Sequence, residues 1–251
     1  MTDHDDEYPR RFNGIARLFG QSAFEAYAGA RVMVVGVGGV GSWAVEALAR
    51  SGVGEIVLVD MDVLVASNVN RQLPALSADF GRGKIDVMAE RVRGINPRAT
   101  ITLIDDFLTP DNVSALLDPR PHVVLDCTDD VKAKIALILH CRFNKIPLIV
   151  AGAAGGKIDP LKIKVDDLLR TSQDPLLSKI RRKLRTDYGI CAKDQKEKFG
   201  VTCVYSTENP RQPDGACAVG GLHCEGYGST TTVTASFALI AVAEALKKLA
   251  R

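Results

Sequence analysis

Residues 32–51 decide the fold of this chain, and they read VMVVGVGGVGSWAVEALARS. The apolar run at 32–35 is typical of a strand buried on both faces of a parallel sheet. A glycine turn of the form GxGxxG follows it and leads into a helical pattern, with glycines at Gly36, Gly38, Gly39 and Gly41. Such a turn lets the backbone approach a phosphate, and the helix N-terminus offers N–H groups to that anion. The stretch therefore predicts a nucleotide-binding strand, turn and helix.

Strands and helices alternate on both sides of this unit. Apolar runs typical of buried strands lie at 56–59, 101–104, 123–125 and 148–150. Helical patterns lie at about 10–19, 21–28, 84–95, 110–117 and 130–144. Strands that alternate with helices in this way are typical of a parallel sheet covered by helices on both faces. The sequence therefore predicts an α/β fold with a Rossmann-like, doubly wound, mostly parallel sheet.

Three parts are expected along the chain. They are an N-terminal helical segment at 1–29, a nucleotide-binding domain at 30–160, and an extension at 161–251 packed on the same domain. The extension contains two strand patterns, a charged helix between them, and a Pro/Gly-rich stretch at 209–228 that we interpret as a mobile loop. Its apolar run at 233–246 is shorter than the roughly 20 residues of a membrane-spanning helix. We expect a buried C-terminal helix there and no membrane partner.

The composition is that of an ordinary globular protein of 251 residues. A formal net charge of +2 is too small to predict a nucleic-acid partner by itself. The six cysteines are scattered without a CxxC pair, and no secretion signal precedes them. We therefore expect reduced thiols and a cytoplasmic protein rather than a disulfide framework.

Asp60 ends the second predicted strand, at the position where an acidic side chain can hold a ribose hydroxyl. NAD and ATP both satisfy the contacts that the glycine turn and this aspartate offer. These residues alone therefore leave the nucleotide open, and an NAD-dependent oxidoreductase is one alternative.

Five elements occur in the order of a known superfamily. They are the glycine turn, the acidic strand end with Asp60 and Asp62, the segment 67–72 reading SNVNRQ, Lys84 at a helix start, and the segment 126–130 reading DCTDD. In this order they resemble the ubiquitin-activating (E1-like) superfamily, which includes the ThiF, MoeB and HesA types of adenylating enzyme. The resemblance implies an enzyme that uses ATP and Mg²⁺ to adenylate a carboxylate, and it marks 161–251 as an E1-like C-terminal extension.

The resemblance also implies roles in the attack of a carboxylate on the α-phosphorus of ATP. Arg71 and Lys84 stabilise the charge that builds on the phosphates, Asn68 and Gln72 position them, and Asp129 holds Mg²⁺. Each residue has an ordinary structural alternative as well. The arginine can be a surface residue, the lysine a solvated residue of a first helical turn, and the aspartate or its neighbour a cap of the next helix.

A homodimer is implied too, because protomers of this superfamily often send an arginine from the N-terminal helix into the partner's ATP site. Arg11 is the candidate, with Arg17 behind it, and Gly14 stands where relatives commonly carry a second arginine. Zinc is not expected, since the sequence lacks the paired CxxC ligands of the relatives that bind it.

Six further segments resemble the branch of this superfamily that modifies tRNA, at 11–20, 40–44, 144–148, 155–160, 173–176 and 203–208. The branch implies ATP-dependent dehydration (cyclisation) of N6-threonylcarbamoyladenosine in tRNA, next to the anticodon. The threonine carboxylate becomes an acyl adenylate, and a nucleophile of the same modification closes a ring and expels AMP. Closure within one molecule can reach effective molarities of about 10⁵ M or more. A cysteine desulfurase or sulfur acceptor system is a further implied partner.

Cys224 is the candidate for a covalent step, as the thioester or sulfur carrier that other members of the superfamily form. It stands in the segment 223–228, reading HCEGYG, with His223 as a weaker candidate for a base or ligand. The alternative is a cysteine that acts as a small hydrophobe, which is our interpretation of Cys127 and Cys203.

The densest basic stretch, at 179–185, reads KIRRKLR and is followed by Lys193, Lys196 and Lys198. Such a run is usually a solvated helix face, but with a tRNA substrate it predicts phosphate contacts.

Two further functions stay open beside the oxidoreductase. One is adenylation of a ubiquitin-like sulfur carrier protein, and the other is a catalytically idle scaffold that binds RNA or protein.

Overall fold

The structure, a computed structural model, describes residues 7–190, 198–211 and 227–250. The strands in this part of the chain are β1 (Arg31–Val35), β2 (Glu55–Val59), β3 (Thr100–Ile104), β4 (Val123–Asp126), β5 (Leu148–Ala151), β6 (Ile163–Asp167) and β7 (Thr202–Ser206). The α-helices are α1 (Tyr8–Phe19), α2 (Gln21–Ala28), α3 (Gly41–Arg50), α4 (Lys84–Ile95), α5 (Val113–Leu116), α6 (Val131–Phe143), α7 (Pro175–Tyr188) and α8 (Thr231–Leu249).

All seven strands belong to one sheet in the order β3-β2-β1-β4-β5-β7-β6. Six of them are parallel, and only the edge strand β6 runs antiparallel, against β7. Val34 of β1 lies opposite Leu58 of β2 and Leu125 of β4, so the chain order reverses between β1 and β4. Ligands of open α/β sheets bind at the carboxyl ends of strands beside such a reversal. The predicted doubly wound, mostly parallel sheet is confirmed.

Helices cover both faces of the sheet. Val32 and Val34 of β1 pack towards α3, α4 and α8, whereas Met33 and Val35 pack towards α6 and α7. The alternation follows from the two-residue repeat of a strand, and it explains why every residue of the run at 32–35 is apolar.

Helix α8 lies within the first of these two layers, with Phe237 and Ala241 completely or almost completely buried. The prediction of a buried C-terminal helix is confirmed. Among the helices of the described residues, none is long and apolar enough to cross a membrane.

Strands β6 and β7 of the extension continue the same sheet, and α7 packs beside α6. The boundaries at 30 and 160 stay a prediction. Helix α5 is shorter than the pattern at 110–117 because Thr109 and Asn112 form a reciprocal pair of side chain to backbone hydrogen bonds, of 2.7 and 3.3 Å, just before it. Most of the loop expected at 209–228 lies outside the described residues.

Candidate functional site

A cavity of about 870 Å³ opens at the carboxyl ends of the strands that flank the reversal. Ten of the predicted site residues line it: Gly36, Gly38, Gly39, Asp60, Asp62, Asn68, Arg71, Gln72, Lys84 and Asp129. They lie in the turn after β1, in the segment after β2, at the start of α4 and in the segment after β4. Parallel pairing brings these separate segments to one edge of the sheet, and we call this space the nucleotide cavity.

The glycine turn at its floor is shaped by close approaches of the backbone. Gly36 has a φ of +84°, a backbone angle that residues other than glycine rarely adopt. A Cβ on Gly41 would lie 1.8 Å from the carbonyl oxygen of Gly36, so the first turn of α3 can pack on β1 only without it. Gly41 does not line the nucleotide cavity, in agreement with its predicted role in helix packing. The N–H groups of Gly38 and Gly39 donate to no atom of the described residues.

Asp60 binds this turn directly. Its Oδ2 accepts a hydrogen bond of 2.6 Å from the Val37 N–H, and its Oδ1 accepts one of 2.9 Å from the Asp62 N–H. Burial raises the pKa of Asp60 above its usual value, while Lys84 and the two N–H donors act in the opposite direction. A grip on ribose stays a prediction for this side chain, and the visible role of Asp60 is to hold the glycine turn against β2.

Lys84 begins α4 and is almost completely buried. Its Nζ lies 2.7 Å from Oδ2 of Asp62 and 3.9 Å from Oδ1 of Asp60. The backbone repeats the contact, since the Lys84 N–H donates to the Asp62 carbonyl oxygen over 3.0 Å. A buried ammonium group held between two carboxylates is positioned for an anion in the cavity, which excludes the interpretation as a solvated lysine.

Arg71 and Gln72 lie on a segment that α3 holds in place. The Trp43 Nε1–H donates to the Arg71 carbonyl oxygen over 3.0 Å, and Ser42 Oγ accepts the N–H of residue 73 over 3.2 Å. The Arg71 guanidinium donates to the Ser67 carbonyl oxygen, and a Cβ on Gly39 would lie 3.2 Å from Arg71 Cγ. The stem of Arg71 therefore packs on the glycine turn, so the residue is not a free surface arginine.

Two amide side chains complete this wall. Asn68 Oδ1 accepts the Val65 N–H over 3.1 Å, which gives Asn68 a structural role in its own turn. Gln72 Oε1 is buried and has no hydrogen-bond partner within the described part of the chain. A buried polar atom without a partner at a cavity wall fits a hydrogen bond to a ligand group or to water.

The two aspartates after β4 have different surroundings. Asp130 is the N-cap of α6, and its carboxylate accepts the Ala133 N–H over 2.7 Å. Asp130 is therefore the helix cap, and both aspartates line the nucleotide cavity. Carboxylate oxygen is the ligand that Mg²⁺ prefers, so the acid at this wall fits a magnesium ion bound with nucleotide phosphates. Within residues 7–190, 198–211 and 227–250, no group of three or more His, Cys, Asp and Glu side chains forms a metal site by itself.

Two buried thiols, Cys127 at the cavity wall and Cys203 in β7, have raised pKa values. Burial, and then the Asp126 carboxylate, raise the pKa of Cys127 to about 12 although Lys134 opposes them. Burial also raises the pKa of Cys203, which is completely buried in β7. Neither thiol is suited to act as a nucleophile, because the thiolate is the reactive form. Cys224 and His223 lie outside the described residues.

Arg11 does not reach the nucleotide cavity of its own chain. Its guanidinium donates to the carbonyl oxygens of Gly94 and Ile95 over 3.1 and 3.2 Å. These are orphan carbonyls at the C-terminal end of α4, where a cation is favourable. Arg11 is therefore engaged within its own chain at the end of α4, and its approach to a partner's ATP site stays a prediction, as does that of Arg17, which is exposed on the same helix.

The sequence reasoning missed the loops that close the cavity from the other side. Asp106 and Phe107 follow β3, Gly152 and Ala153 follow β5, and all four line the cavity. Their position after parallel strands is a signal that could have found them.

Asp174, whose pKa is raised by burial, joins the β5 loop to α7. Its carboxylate accepts the N–H groups of Ala153 and Leu177, each over 2.9 Å. A buried ion pair lies below the cavity, with Lys134 Nζ 3.0 Å from Asp126 Oδ1. The hydrogen bonds of Asp174 and the Lys134–Asp126 ion pair support the floor of the cavity, although none of these three side chains lines it.

This arrangement fits ATP. Free N–H groups at a glycine turn and a helix N-terminus suit phosphates, and two cations and an acid for Mg²⁺ line the same space. The cavity is large enough for a nucleotide together with part of a second substrate, since ligand pockets commonly measure about 300–1,000 Å³. The structure thus brings the predicted residues together, and their individual roles stay predictions.

Comparison with known proteins agrees with this site. The model of the ThiF family matches residues 12–251. The tRNA threonylcarbamoyladenosine dehydratase of Escherichia coli (strain K12) is 48% identical over 255 residues, which cover 97% of this chain and 95% of that protein. The protein of the same name from Haemophilus influenzae is 45% identical, with the same two coverages. The solved structure of the E. coli tRNA N6-threonylcarbamoyladenosine dehydratase in complex with ATP has a TM-score of 0.90 and 49% identity, and covers 97% of this chain and 95% of that chain. This chain therefore belongs to the ThiF family, as the elements around its glycine turn predict.

Proposed function

We propose that this chain uses ATP to dehydrate N6-threonylcarbamoyladenosine in tRNA, next to the anticodon. The observation that carries the proposal is the nucleotide cavity itself, where the glycine turn faces Arg71 and the buried Lys84. The near-full-length similarity to tRNA threonylcarbamoyladenosine dehydratases supports the choice of substrate. An NAD-dependent oxidoreductase is a poorer match, because it gives these two cations no shared role.

In the first step an oxygen of the threonine carboxylate attacks the α-phosphorus of ATP. A new P–O bond forms, the bond to the pyrophosphate oxygen breaks, and pyrophosphate leaves. Negative charge builds on the phosphate oxygens, and fixed donors and cations aimed at such oxygens lower the barrier. Arg71, Lys84 and the Gly38 and Gly39 N–H groups are the donors that this chain offers. Asp62 holds the ammonium group of Lys84 at the wall of the same cavity.

In the second step a nucleophile of the same modification attacks the activated carbonyl carbon. The C–O bond to AMP breaks, the ring closes, and the former carboxylate oxygen leaves with AMP, so the nucleoside loses the elements of water. Closure within one molecule needs no nucleophile from the protein. The protonated state of Cys127 and Cys203 agrees with such a route. Cys224 stays a candidate for a covalent step.

Asp129, which lines the nucleotide cavity at the position that the superfamily order implies, is the residue that we propose to hold Mg²⁺. When bound, the ion supplies charge neutralisation of the phosphates. We also propose a cytoplasmic homodimer in which Arg11, with Arg17 behind it, approaches the partner's site. Pairing with a cysteine desulfurase or sulfur acceptor system, and the basic stretch at 179–185 as a tRNA contact, belong to the same proposal.

Mass spectrometry of digested tRNA tests the proposal. The protein is incubated with ATP, Mg²⁺ and tRNA that bears threonylcarbamoyladenosine, and the modified nucleoside is weighed. We expect it to lose the mass of one water molecule only when ATP is present, and Arg71→Ala to abolish this loss. Arg93→Gln, which removes an exposed cation from α4, is the matched control and leaves the loss intact. An unchanged nucleoside together with ATP-dependent adenylation of a sulfur carrier protein would favour the second candidate function.

A further inference from the structure

A second cavity lies at the opposite edge of the sheet, where β5 and β7 begin. It measures about 370 Å³, and its walls include three cations, Arg142, Lys145 and Lys248. No carboxylate lines it within the described part of the chain. We call it the basal cavity. Arg142 and Lys145 give this concave site positive charge, which fits an anion such as a phosphate.

Local contacts hold two of these cations in place. The Arg142 Nε–H donates to the Phe199 carbonyl oxygen over 3.1 Å, and the guanidinium carbon lies 4.3 Å above the centre of the Phe199 ring. Lys145 has a left-handed backbone with a φ of +54°, and its carbonyl oxygen accepts a hydrogen bond of 2.9 Å from Arg120. Exposed Lys198 is the chain neighbour of Phe199 and adds a further charge beside the cavity. The positive charge is therefore built on ordered backbone.

Helix α7 begins at the nucleotide cavity and runs away from it along the sheet. Its first residues, Pro175 and Leu176, line the nucleotide cavity. From there its 14 residues span about 21 Å at 1.5 Å per residue, roughly the height of the sheet. The apolar side of α7 is buried on the sheet, and its outer side carries Lys179, Arg182, Lys183 and Arg185. A basic stripe thus runs away from the nucleotide cavity.

Not every arginine of α7 belongs to this stripe. Arg181 turns inward, where its guanidinium donates to Thr171 Oγ1 and to the Leu168 carbonyl oxygen. Of the remaining cations, Lys183 lies 3.4 Å from Asp187, which is the single acid on the helix. The basic run in the sequence is therefore divided by the fold into one structural arginine and four outward cations.

Exposed aromatic rings lie at the far end of the stripe. Phe143, the last residue of α6, is 87% exposed, and Tyr188, the last residue of α7, is 52% exposed. The two helices pack side by side and end at the same edge as the basal cavity. The cations of the stripe suit the phosphates of a nucleic-acid backbone, which carry negative charge along a duplex.

We propose that the duplex stem next to the reacting nucleoside lies along α7, and that the basal cavity binds one of its backbone phosphates. This inference rests on the proposed function, because it needs an RNA whose modified base enters the nucleotide cavity. The recognition is electrostatic and independent of sequence, as for other contacts with phosphates. An acidic protein in place of the RNA stem is the competing occupant.

The test removes basal cations and measures RNA binding over a range of salt concentrations. Lys145→Asn and Lys198→Gln are the variants, alone and together, because asparagine tolerates the left-handed backbone at 145. Arg93→Gln removes one charge from the opposite face of the sheet and is the control. Dissociation constants are measured for modified full-length tRNA and for a short stemless oligonucleotide with the same modified nucleoside.

We expect the slope of log Kd against log salt concentration for tRNA to fall by about 0.7–0.9 for each cation removed. The stemless oligonucleotide, the control variant and ATP binding are expected to show no change. Turnover at saturating tRNA is also unchanged, so that the KM for tRNA alone rises. Wild-type slopes in the double variant would overturn the proposal and leave the acidic protein as occupant, and equal losses with the stemless oligonucleotide would overturn it as well.

Failure of the proposed function gives a different result. In that case wild-type protein does not dehydrate the nucleoside, whether or not it binds tRNA. If wild-type protein dehydrates tRNA while the basal variants bind it normally, only the inference about the stem is wrong.

Discussion

Gly38→Ala separates phosphate binding from folding. Gly38 has no positive φ, and a Cβ built on it would meet only Gln72 Nε2, at 3.9 Å, an ordinary contact. A glycine replaced by alanine at a compatible backbone position stabilises a protein by about 0.4–1 kcal/mol. The new methyl group would nevertheless stand in the nucleotide cavity, beside an N–H that we assign to a phosphate. We therefore expect a protein that folds at least as well as wild type and binds ATP worse.

The size of the loss follows from the hydrogen bond at risk. A hydrogen bond to a charged group contributes about 1.5–3 kcal/mol. Each 1.4 kcal/mol is a factor of ten, so the loss of one such bond weakens ATP binding by about tenfold to about 150-fold.

The assay is calorimetric titration with ATP, together with thermal unfolding of each variant. Gly94→Ala, with nothing within 4 Å of its added Cβ and no place in the cavity lining, is the control that leaves ATP affinity unchanged. Gly41→Ala should damage folding as well as binding, because its Cβ would lie 1.8 Å from the Gly36 carbonyl oxygen. Normal ATP affinity in Gly38→Ala, with an intact fold, would refute the assignment of the phosphates to this turn.

Three further changes probe the supports of the site. Lys134→Met leaves the Asp126 carboxylate buried without its cation. We expect the free energy of unfolding, measured by urea titration, to fall by about 3–5 kcal/mol. An unchanged free energy of unfolding would contradict the ion pair. Trp43→Phe removes the N–H that donates to the Arg71 carbonyl oxygen. We expect slower pyrophosphate release with little change in Tm. An unchanged rate of pyrophosphate release would show that Arg71 needs no such support. Burial alone would raise the pKa of Glu46, but hydrogen bonds from arginines on α3 and α4 hold this pKa below 4.5. The carboxylate therefore stabilises the fold above that pH, and the stabilisation is lost as the pH falls. Glu46→Gln should lower the free energy of unfolding near neutral pH but not in acid, and a difference that does not depend on pH speaks against the assignment.

The sheet and the glycine turn could be predicted because their signals are local. An uninterrupted apolar run, a turn of glycines and the next helix follow one another within residues 32–51. The close contact between Gly41 and the Gly36 carbonyl oxygen lies inside that stretch as well. Local patterns of this kind specify a strand, turn and helix whatever the rest of the chain does.

The loops that complete the cavity could not be predicted in the same way. Gly152 and Ala153 line the cavity because Asp174, about twenty residues later, accepts the Ala153 N–H and caps α7. Nothing in the local sequence indicates this pairing, since an aspartate before Pro175 is also an ordinary helix start. Long-range contacts between polar side chains produce no periodic pattern of residues in the sequence, so they cannot be recognised from it.

Single charged residues were the hardest to interpret. Lys134 occurs in a helical pattern where a solvated lysine is typical, yet it is completely buried against Asp126. Arg11 matched a family position, but the carbonyl oxygens at the end of α4 lie within its reach and bind it. The partner of a charge depends on tertiary packing, so the residue type alone does not decide between a catalytic and a structural role.

Isotope transfer tests the central claim, that this chain joins AMP to the substrate carboxylate, most directly. The tRNA is prepared with a heavy oxygen isotope in both carboxylate oxygens of the threonylcarbamoyl group, and the products are weighed after one turnover with unlabelled ATP. Attack of the carboxylate on the α-phosphorus gives AMP that carries one heavy oxygen, a cyclised nucleoside that keeps the other, and unlabelled pyrophosphate. Unlabelled AMP, or label in pyrophosphate or inorganic phosphate, would contradict it.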